Sequence, residues 1–447
     1  MSDVEKNSRT SIDIEAREAA VTKEIPAALP GQDAAETPEQ AANSAPQMPD
    51  FPEGGRDGWL ALVGGWCVMF ITFGYMNAFG VYESYYLANS LRDETAANVA
   101  WIGSIQIFFM FASSLFSGPL VDRVGPNYIF TPAGLFLVLS QMLTSLCKKY
   151  YQFILCQGVL GGIATGFLYS PAAAVVGHYF HRKRPMAMGI ITSGSALGGI
   201  LYPIILNQML NHSKVSFGWT QRTVGFIGLF MVIISIFTIK AGVPTRKGTY
   251  LLPSAFKNMA YTLQIVGLFF FFWGMFTAFF YIPSYAEAHG MSTSLSFYLV
   301  TFLNAGSIFG RLAAGAFGVF AGQFNVLIGC CAICTIMIWS WLSIHSNASI
   351  IVFSIFYGAF SGGAISTMIA TLASCAPAPN QMGTYIGMAS AFIGIAGLTG
   401  TPINGAFITH YHGFNEAIYF SAACASFGSV ILVGARLAFA PITKLRA

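Results

Sequence analysis

The chain has 447 residues, of which 55% are hydrophobic and only 9% are charged, with a formal net charge of +4. Soluble domains carry about 25% charged residues, so this composition excludes a water-covered globular surface and favours a lipid-facing one. Apolar stretches of about 20 residues, each long enough to cross a bilayer as a helix, recur from Trp59 to Ala440. They lack the alternating pattern of outer-membrane barrel strands. The sequence therefore predicts an all-α integral membrane protein.

The first 57 residues differ in composition from the rest. They hold twelve acidic and five basic residues, and positions 1–50 are rich in Ala, Glu, Pro, Gln and Ser. Such a segment buries too little apolar surface to offset the conformational entropy lost on folding, so we expect a disordered acidic tail over 1–57. It has no apolar core of a signal peptide, and we expect it to stay in the cytosol.

Twelve transmembrane spans are predicted between the tail and the C-terminus. They cover 59–82, 99–121, 126–146, 152–176, 186–210, 219–241, 262–286, 295–317, 323–343, 349–372, 383–408 and 415–438. The even number places both termini on one side, and the loops of that side hold most of the Lys and Arg, including Arg182, Lys183, Arg184, Arg246 and Lys247. The positive-inside rule then makes both termini cytosolic. We expect the protein in the plasma (cell) membrane.

The predicted organisation is two homologous six-helix bundles. An N-terminal bundle (58–241) and a C-terminal bundle (262–440) are joined by a cytosolic linker (242–261), and a short cytosolic tail (441–447) follows. Five residues of span 1 recur in span 7 at an offset of 200: Gly74/Gly274, Ala78/Ala278, Phe79/Phe279, Ser84/Ser284 and Tyr85/Tyr285. Repeats that enclose a substrate site at their interface are a design of secondary transporters.

A charged motif stands between spans 2 and 3, comprising Gly118, Leu120, Asp122, Arg123 and Gly125. It resembles the G-x-L-x-D-R-x-G loop of the major facilitator superfamily. The resemblance implies a major facilitator fold in which this cluster is a cytosolic latch that breaks as the halves rock. The alternative is a solvated turn whose charges only set topology. In the second half, Gly310-Arg311-Leu312 is expected at the matching place, with Ala314 where the acid would be.

Two further stretches narrow the resemblance. Residues 52–59 (PEGGRDGW) lead into span 1, and the stretch that leads into span 5 and continues within it contains Tyr179, Phe180, Arg184, Gly189, Gly194 and Gly198. Both resemble motifs of fungal monocarboxylate-porter-like proteins, and the resemblance covers about 51–440. The three glycines would also keep the helix thin for close packing.

The proton-handling residues of that family are absent from this sequence. Animal monocarboxylate porters carry a lysine in span 1 and an aspartate before the arginine of span 8, where this chain has Val81 and Ser307. Six acids lie beyond residue 57, and the predicted spans place all of them, including Glu83, at span ends or in loops. The resemblance therefore does not imply proton coupling here.

Arg311 is the basic residue predicted to lie within a span, about two thirds of the way towards the cytosol. Intramembrane charge is costly and usually functional, although a long side chain could instead reach the cytosolic edge. Neutral polar residues on the expected cavity helices are further substrate-binding candidates: Asn77, Gln157, Tyr169, Thr277, Asn304, Tyr357 and Ser361. Polar residues within spans also serve as contacts between helices.

The sequence as a whole predicts a transporter, not an enzyme, that moves a small organic solute, such as a monocarboxylate, by alternating access. Export of a fungal secondary metabolite is the alternative, and a channel or a membrane-embedded enzyme is a third class. We expect a small-molecule substrate and the lipid bilayer as partners, and no nucleic acid or cofactor. The oligomeric state stays open, with a monomer possible.

Cys330, Cys331 and Cys334 fit small hydrophobic residues better than a metal site. Asn211 and Asn347 begin N-x-[ST] glycosylation sequences in predicted external loops.

Overall fold

The computed structural model describes residues 53–213, 215–245 and 251–440. Most of the predicted acidic tail, Arg246, Lys247 and the predicted C-terminal tail lie outside the described residues. The described part of the chain forms helices and no strands. Its twelve long helices are α1 Gly55–Ser90, α2 Ala96–Val124, α3 Asn127–Thr144, α4 Tyr150–Tyr179, α5 Arg184–Asn207, α6 Phe217–Thr238, α7 Met259–Ala288, α8 Thr293–Ala321, α9 Gln323–Ser340, α10 Asn347–Ser374, α11 Met382–Tyr411 and α12 Asn415–Phe439.

Eleven of these helices are long and apolar enough to cross a membrane. The twelfth, α3, has 18 residues and spans about 27 Å at 1.5 Å per residue. It includes the polar residues Asn127 and Gln141, which lower its mean hydropathy. The fold class predicted from the sequence, an all-helical membrane protein with two sets of six helices, is confirmed.

Each predicted span overlaps one helix, and the largest difference is in α1. That helix continues to Ser90, eight residues beyond the predicted end of span 1. It contains π-helical turns at Phe70–Gly74 and Tyr86–Ser90, and a break at Asn77 and Ala78. π-Turns inside helices are frequent at functional sites because they change the direction of the side chains around them.

The two sets of helices meet along two helix pairs, α2 with α11 and α5 with α8. Both interfaces depend on glycine. A methyl group on Gly118 of α2 would overlap the carbonyl oxygen of Gly383 at the start of α11. A methyl group on Gly189 of α5 would press against the carbonyl oxygen of Arg311 on α8. Small residues allow backbones to approach closely where lipid offers no hydrophobic driving force.

We call the end of the bundle at which α1 begins and α12 ends the terminal side, and the opposite end the far side. The outer surface is apolar, as a lipid-facing surface should be: Phe237, Phe309 and Val430 are each at least 70% exposed. The turns that join α2 to α3, α4 to α5, α8 to α9 and α10 to α11 lie on the terminal side.

Candidate substrate site and gate

Arg311 lies deep in the bundle at the α5–α8 interface. It stands ten residues before the end of α8, about 15 Å along the helix axis. Its side chain is only 3% exposed. Its Nε donates to Ser307 Oγ at 2.9 Å, and its Nη1 donates to the carbonyl oxygen of Thr192 on α5 at 3.1 Å. The guanidinium therefore contacts both halves of the molecule and does not extend to the terminal-side surface.

Tyr169 of α4 faces this arginine, and the two side chains interact electrostatically. Tyr169 also lies beside Ser390 of α11, and both hydroxyl groups are buried. Phe73 and Phe111 pack against the Tyr169 ring with centroid distances of 5.2 and 6.0 Å. Groups on three helices from both halves thus lie beside one buried positive charge: Ser307 on α8, the Thr192 carbonyl oxygen on α5 and Tyr169 on α4.

A second contact between the halves lies nearer the far side. Asn77, at the break in α1, donates from Nδ2 to Oδ1 of Asn304 on α8 at 3.1 Å. Gly199 of α5 leaves room for this amide pair, since a methyl group there would overlap the Asn304 side chain. Asn304 and Arg311 are seven residues apart, and two helical turns place them on the same face of α8.

Of the other four candidates, Ser361 donates to the Gly358 carbonyl oxygen of its own helix at 3.2 Å, and three form contacts elsewhere. Thr277 bonds Ser421 of α12 at 2.6 Å. Gln157 accepts from the Tyr86 hydroxyl at 2.7 Å. The Tyr357 hydroxyl donates to the carbonyl oxygen of Met275 at 2.8 Å. Each contact joins helices of a single half. The structure therefore places Arg311, Tyr169, Asn77 and Asn304 in contacts between the halves, but Thr277, Gln157 and Tyr357 in contacts within one half.

The terminal-side end of the α2–α11 interface is held by Asp122. Its carboxylate accepts hydrogen bonds from the backbone N–H groups of Gly383 and Thr384 at 3.1 and 2.7 Å, and from the Thr384 hydroxyl at 2.7 Å. Asp122 is 2% exposed. A carboxylate at the first turn of a helix meets N–H groups that lack partners in the helix and favour negative charge. Gly125, with φ of 82°, ends α2 just beyond it. These bonds join the end of α2 to the start of α11 across the two halves, at the place predicted for the latch.

The expected second copy of this motif is placed differently by the structure. Gly322, with φ of 87°, ends α8 as Gly125 ends α2. Aligned on these glycines, Asp122 corresponds to Val319, and Arg311 lies two turns deeper than the latch position. The placement of Gly310-Arg311-Leu312 at the level of the latch is therefore wrong. With either alignment, residues 310–322 contain no acid.

The glycines of the span 5 motif pack α5 against two helices. Gly194 lies against the Trp66 carbonyl group and Gly198 against Gly74, both on α1, while Gly189 faces α8. Arg184, at the start of α5, is buried and donates to the carbonyl oxygen of Phe180 and to Ser374 Oγ on α10, each at 3.2 Å. Tyr179 and Phe180 pack under Gly58 at the start of α1.

Glu83 is the acid whose predicted position changes most. Because α1 continues to Ser90, Glu83 lies inside the helix, seven residues before its end, and not at a span end. Its side chain is half-buried and interacts electrostatically with Tyr281 of α7.

The described residues form no group of three or more His, Cys, Asp or Glu placed to hold a metal ion. Cys331 and Cys334 are fully buried in α9.

Sequence reasoning missed Phe73, Phe111 and Ser390. Phe73 and Phe111 lie in spans that contain several other phenylalanines, and Ser390 lies among the small residues of span 11, so composition gives no reason to select them. Only the packing of α1, α2 and α11 against Tyr169 distinguishes them.

Helices that form two sets of six, joined by glycine-lined interfaces around a buried arginine, are the architecture of a membrane transporter. The sequence profile described as Major Facilitator Superfamily matches residues 64–401. The chain belongs to the major facilitator superfamily, and it is a transporter and not an enzyme.

Relatives and a solved structure agree with this assignment. The chain is 46% identical over 393 residues to the aspyridones efflux protein apdF of Emericella nidulans, covering 88% of this chain and 80% of that protein. It is 37% identical to the agnestins efflux protein AgnL12 of Paecilomyces divaricatus, covering 94% and 95%. The fold is similar to that of the human organic anion transporter MFSD10 (TETRAN), with a TM-score of 0.64 and 12% identity, covering 86% and 99%.

Proposed function

We propose that this transporter exports a small acidic secondary metabolite by alternating access. The observation that carries the proposal is the position of Arg311, buried at the interface between the halves and bonded to both. A buried positive charge attracts an anion because the low dielectric of the protein interior strengthens their interaction. Only a carrier whose halves separate on one side at a time exposes such a charge to each side in turn.

The donors around Arg311 suit an acidic group attached to a ring. A guanidinium has five N–H donors, of which the contacts to Ser307 and Thr192 use two. The remaining donors can bind a carboxylate or a similar planar anion in a bidentate manner. The hydroxyls of Tyr169 and Ser390 add neutral hydrogen-bonding groups, and the Phe73 ring adds an apolar surface.

Export is supported by the relatives, which are named as efflux proteins. The finer resemblance to fungal monocarboxylate-porter-like proteins rests on residues 52–59 and on the span 5 motif. It supports a carboxylate as the acidic group. Val81 and Ser307, which stand where animal monocarboxylate porters carry charged residues, support weak coupling to protons.

The orientation belongs to the same proposal: the terminal side faces the cytosol and the protein resides in the plasma membrane. The distribution of Lys and Arg among the loops supports it. Both glycosylation sequences fall on the far side, although in helical segments and not in loops: Asn347 is the first residue of α10, and Asn211 lies in the π-turn Gln208–His212. Glycan attached at either position would support the orientation, and protease cleavage at residues 182–184 from outside would contradict it.

The proposal is tested by comparing the metabolites retained by fungal cells with and without the protein. We expect at least one acidic metabolite to accumulate inside cells that lack it. The accumulated compound is then assayed in liposomes holding the purified protein, where saturation and counterflow indicate a carrier. If only permanently neutral compounds accumulate, the acidic substrate class is wrong. If flux does not saturate, the carrier mechanism is wrong.

A further inference from the structure

The carboxylate of Glu53, just before α1, binds three successive backbone N–H groups of the α4–α5 turn. Oε1 accepts from His181 at 3.2 Å and from Arg182 at 2.5 Å, and Oε2 accepts from Lys183 at 3.2 Å. We call residues 181–183 the amide triplet. Two motifs that are far apart in the sequence, 52–59 and the start of span 5, are thus in direct contact.

The backbone around Glu53 adopts an uncommon conformation to make this contact. Glu53 has φ of 42°, and Gly54 and Gly55 have φ of 125° and 69°. A non-glycine residue with positive φ is strained and persists where the surrounding structure imposes it. The Gly54 N–H also donates to the Tyr179 carbonyl oxygen at 3.2 Å. Two hydrogen-bonding groups of this segment are therefore directed at the α4–α5 turn.

The internal repeat gives this contact a counterpart. The offset of 200 that relates the halves places Lys183 opposite Gly383 and Arg184 opposite Thr384. Asp122 binds the amides of Gly383 and Thr384 at the start of α11, and Glu53 binds the amides directly before the start of α5. Repeat-equivalent helices thus each begin against a carboxylate. Residues 310–322 at the end of α8 contain no acid that could bind the start of α5 as Asp122 of α2 binds the start of α11.

The contact continues from the amide triplet into the other half of the molecule. Arg184, the next residue, interacts electrostatically with Glu53 and donates to Ser374 Oγ at the end of α10. The Gln323 side chain, at the start of α9, also donates to Ser374 Oγ. Residues near the starts of α1, α5 and α9 and the end of α10 therefore meet around Glu53, Arg184 and Ser374.

We propose that Glu53, Arg184 and Ser374 form a second terminal-side latch, in which Glu53 positions Arg184 and Arg184 bridges the halves. Glu53 and the amide triplet lie in the same half, so their bonds persist when the halves separate. The bond from Arg184 to Ser374 joins the halves and breaks. Glu53 compensates for the acid that α8 lacks, and closure of the terminal side depends on both this latch and Asp122.

Hydrogen exchange of the purified protein in nanodiscs tests the proposal without knowledge of the substrate. In Glu53→Gln and Glu53→Ala, we expect the amides of 181–183 to exchange at least about tenfold faster, since hydrogen bonds to charged groups contribute about 1.5–3 kcal/mol. We also expect faster exchange across the interface, in 315–325 and 370–384. Ser374→Ala should accelerate exchange in those two segments while leaving 181–183 protected. Asp57→Asn removes an exposed acid four residues from Glu53. It should change exchange neither in 181–183 nor in the segments 315–325 and 370–384.

Three outcomes would overturn the proposal. Unchanged exchange at 181–183 in Glu53→Ala would show that the carboxylate does not hold these amides. Faster exchange confined to 181–183 would make Glu53 a local contact with no effect on the gate. Faster exchange everywhere, including the far-side residues 285–300, in the milder Glu53→Gln variant would indicate general destabilisation.

Discussion

The Asn77 side-chain amide on α1 donates a hydrogen bond to the Asn304 side-chain oxygen on α8, and this bond joins the two halves of the transporter. It forms where α1 departs from α-helical geometry, and Asn304 lies two turns from Arg311 on the same face of α8. Opening of the far side must break it. The pair is therefore expected to affect the equilibrium between states more than the stability of either half.

The amide pair can be tested by a double-mutant cycle of Asn77→Ala and Asn304→Ala. Hydrogen bonds between membrane helices have coupling energies that average about 0.6 kcal/mol, and we expect a value of this size from unfolding titrations in mixed micelles. Ser84→Ala is the control, because Ser84 bonds the Gly80 carbonyl oxygen in its own helix. Additive effects of the two Asn substitutions would show that the amides do not interact.

The contact of Gly118 with Gly383 predicts a large effect of one methyl group. Gly118→Ala would place Cβ against the Gly383 carbonyl oxygen, so α2 and α11 must separate. Overpacking costs about 1–3 kcal/mol, and we expect a lower melting temperature for the purified protein. Gly228→Ala on α6 is the matched control, because a methyl group there meets nothing within 4 Å. Equal melting temperatures for the two variants would contradict the observed packing.

Asp122→Asn keeps the shape of the latch side chain but removes its charge. The asparagine side chain has a single acceptor oxygen, so it can keep the bond from the N–H group of either Gly383 or Thr384. Its NH2 group is itself a donor and cannot accept the other bond. We expect slower conformational exchange, so the maximal flux in liposomes should fall several-fold while the KM for the exported metabolite changes little. Asp93→Asn, an exposed acid on the far side, should leave both unchanged. A raised KM at unchanged maximal flux would place Asp122 in substrate binding.

The sequence predicted the helices well because hydrocarbon imposes a length and a composition on every span. It failed at the end of α1, where the predicted span stops at Tyr82 and the polar residues Glu83 and Ser84 follow. In the structure Tyr82 and Tyr86 are fully buried against the N-terminal half, so the helix continues. Hydropathy records only the residue type and not the neighbour that buries it.

The candidate site was predicted less completely for a related reason. Arg311 was found because a charge in an apolar span is conspicuous. Thr277 stands at the position that is repeat-equivalent to Asn77, yet it bonds Ser421 on α12, a helix of its own half. An internal repeat places equivalent helices in the two halves, but equivalent polar side chains can bond to different neighbouring helices.

Deletion of residues 2–50 should leave transport per folded molecule nearly unchanged, since this segment carries too little apolar surface to dock. Extending the deletion to residues 2–53 also removes Glu53, and the maximal flux should then differ from that of the 2–50 deletion. Comparing the two truncations in liposomes separates the tail from Glu53. Equal loss of flux in both would show that the tail itself takes part in transport. Wild-type flux in both would contradict the role of Glu53.

Substitution of Arg311 provides the sharpest test of the substrate class. Arg311→Gln removes the charge and should nearly abolish export of an acidic metabolite. Arg311→Lys keeps the charge but loses the planar donor geometry, so it should weaken export about tenfold or more. Arg222→Gln is the matched control, because Arg222 is a partly buried far-side arginine that bonds Ser145 and should not affect export.

The described residues place no carboxylate beside Arg311, so a bound anion would supply the missing negative charge. Burying an unpaired charge is costly, and the loaded carrier should therefore reorient faster than the empty one. Counterflow in liposomes should then exceed net efflux at equal substrate concentration, and this difference should disappear in Arg311→Gln. Export of a permanently neutral compound should be far less sensitive to the same substitution. If Arg311→Gln exports the acidic metabolite at the wild-type rate, the charge plays no part in binding and the substrate is neutral.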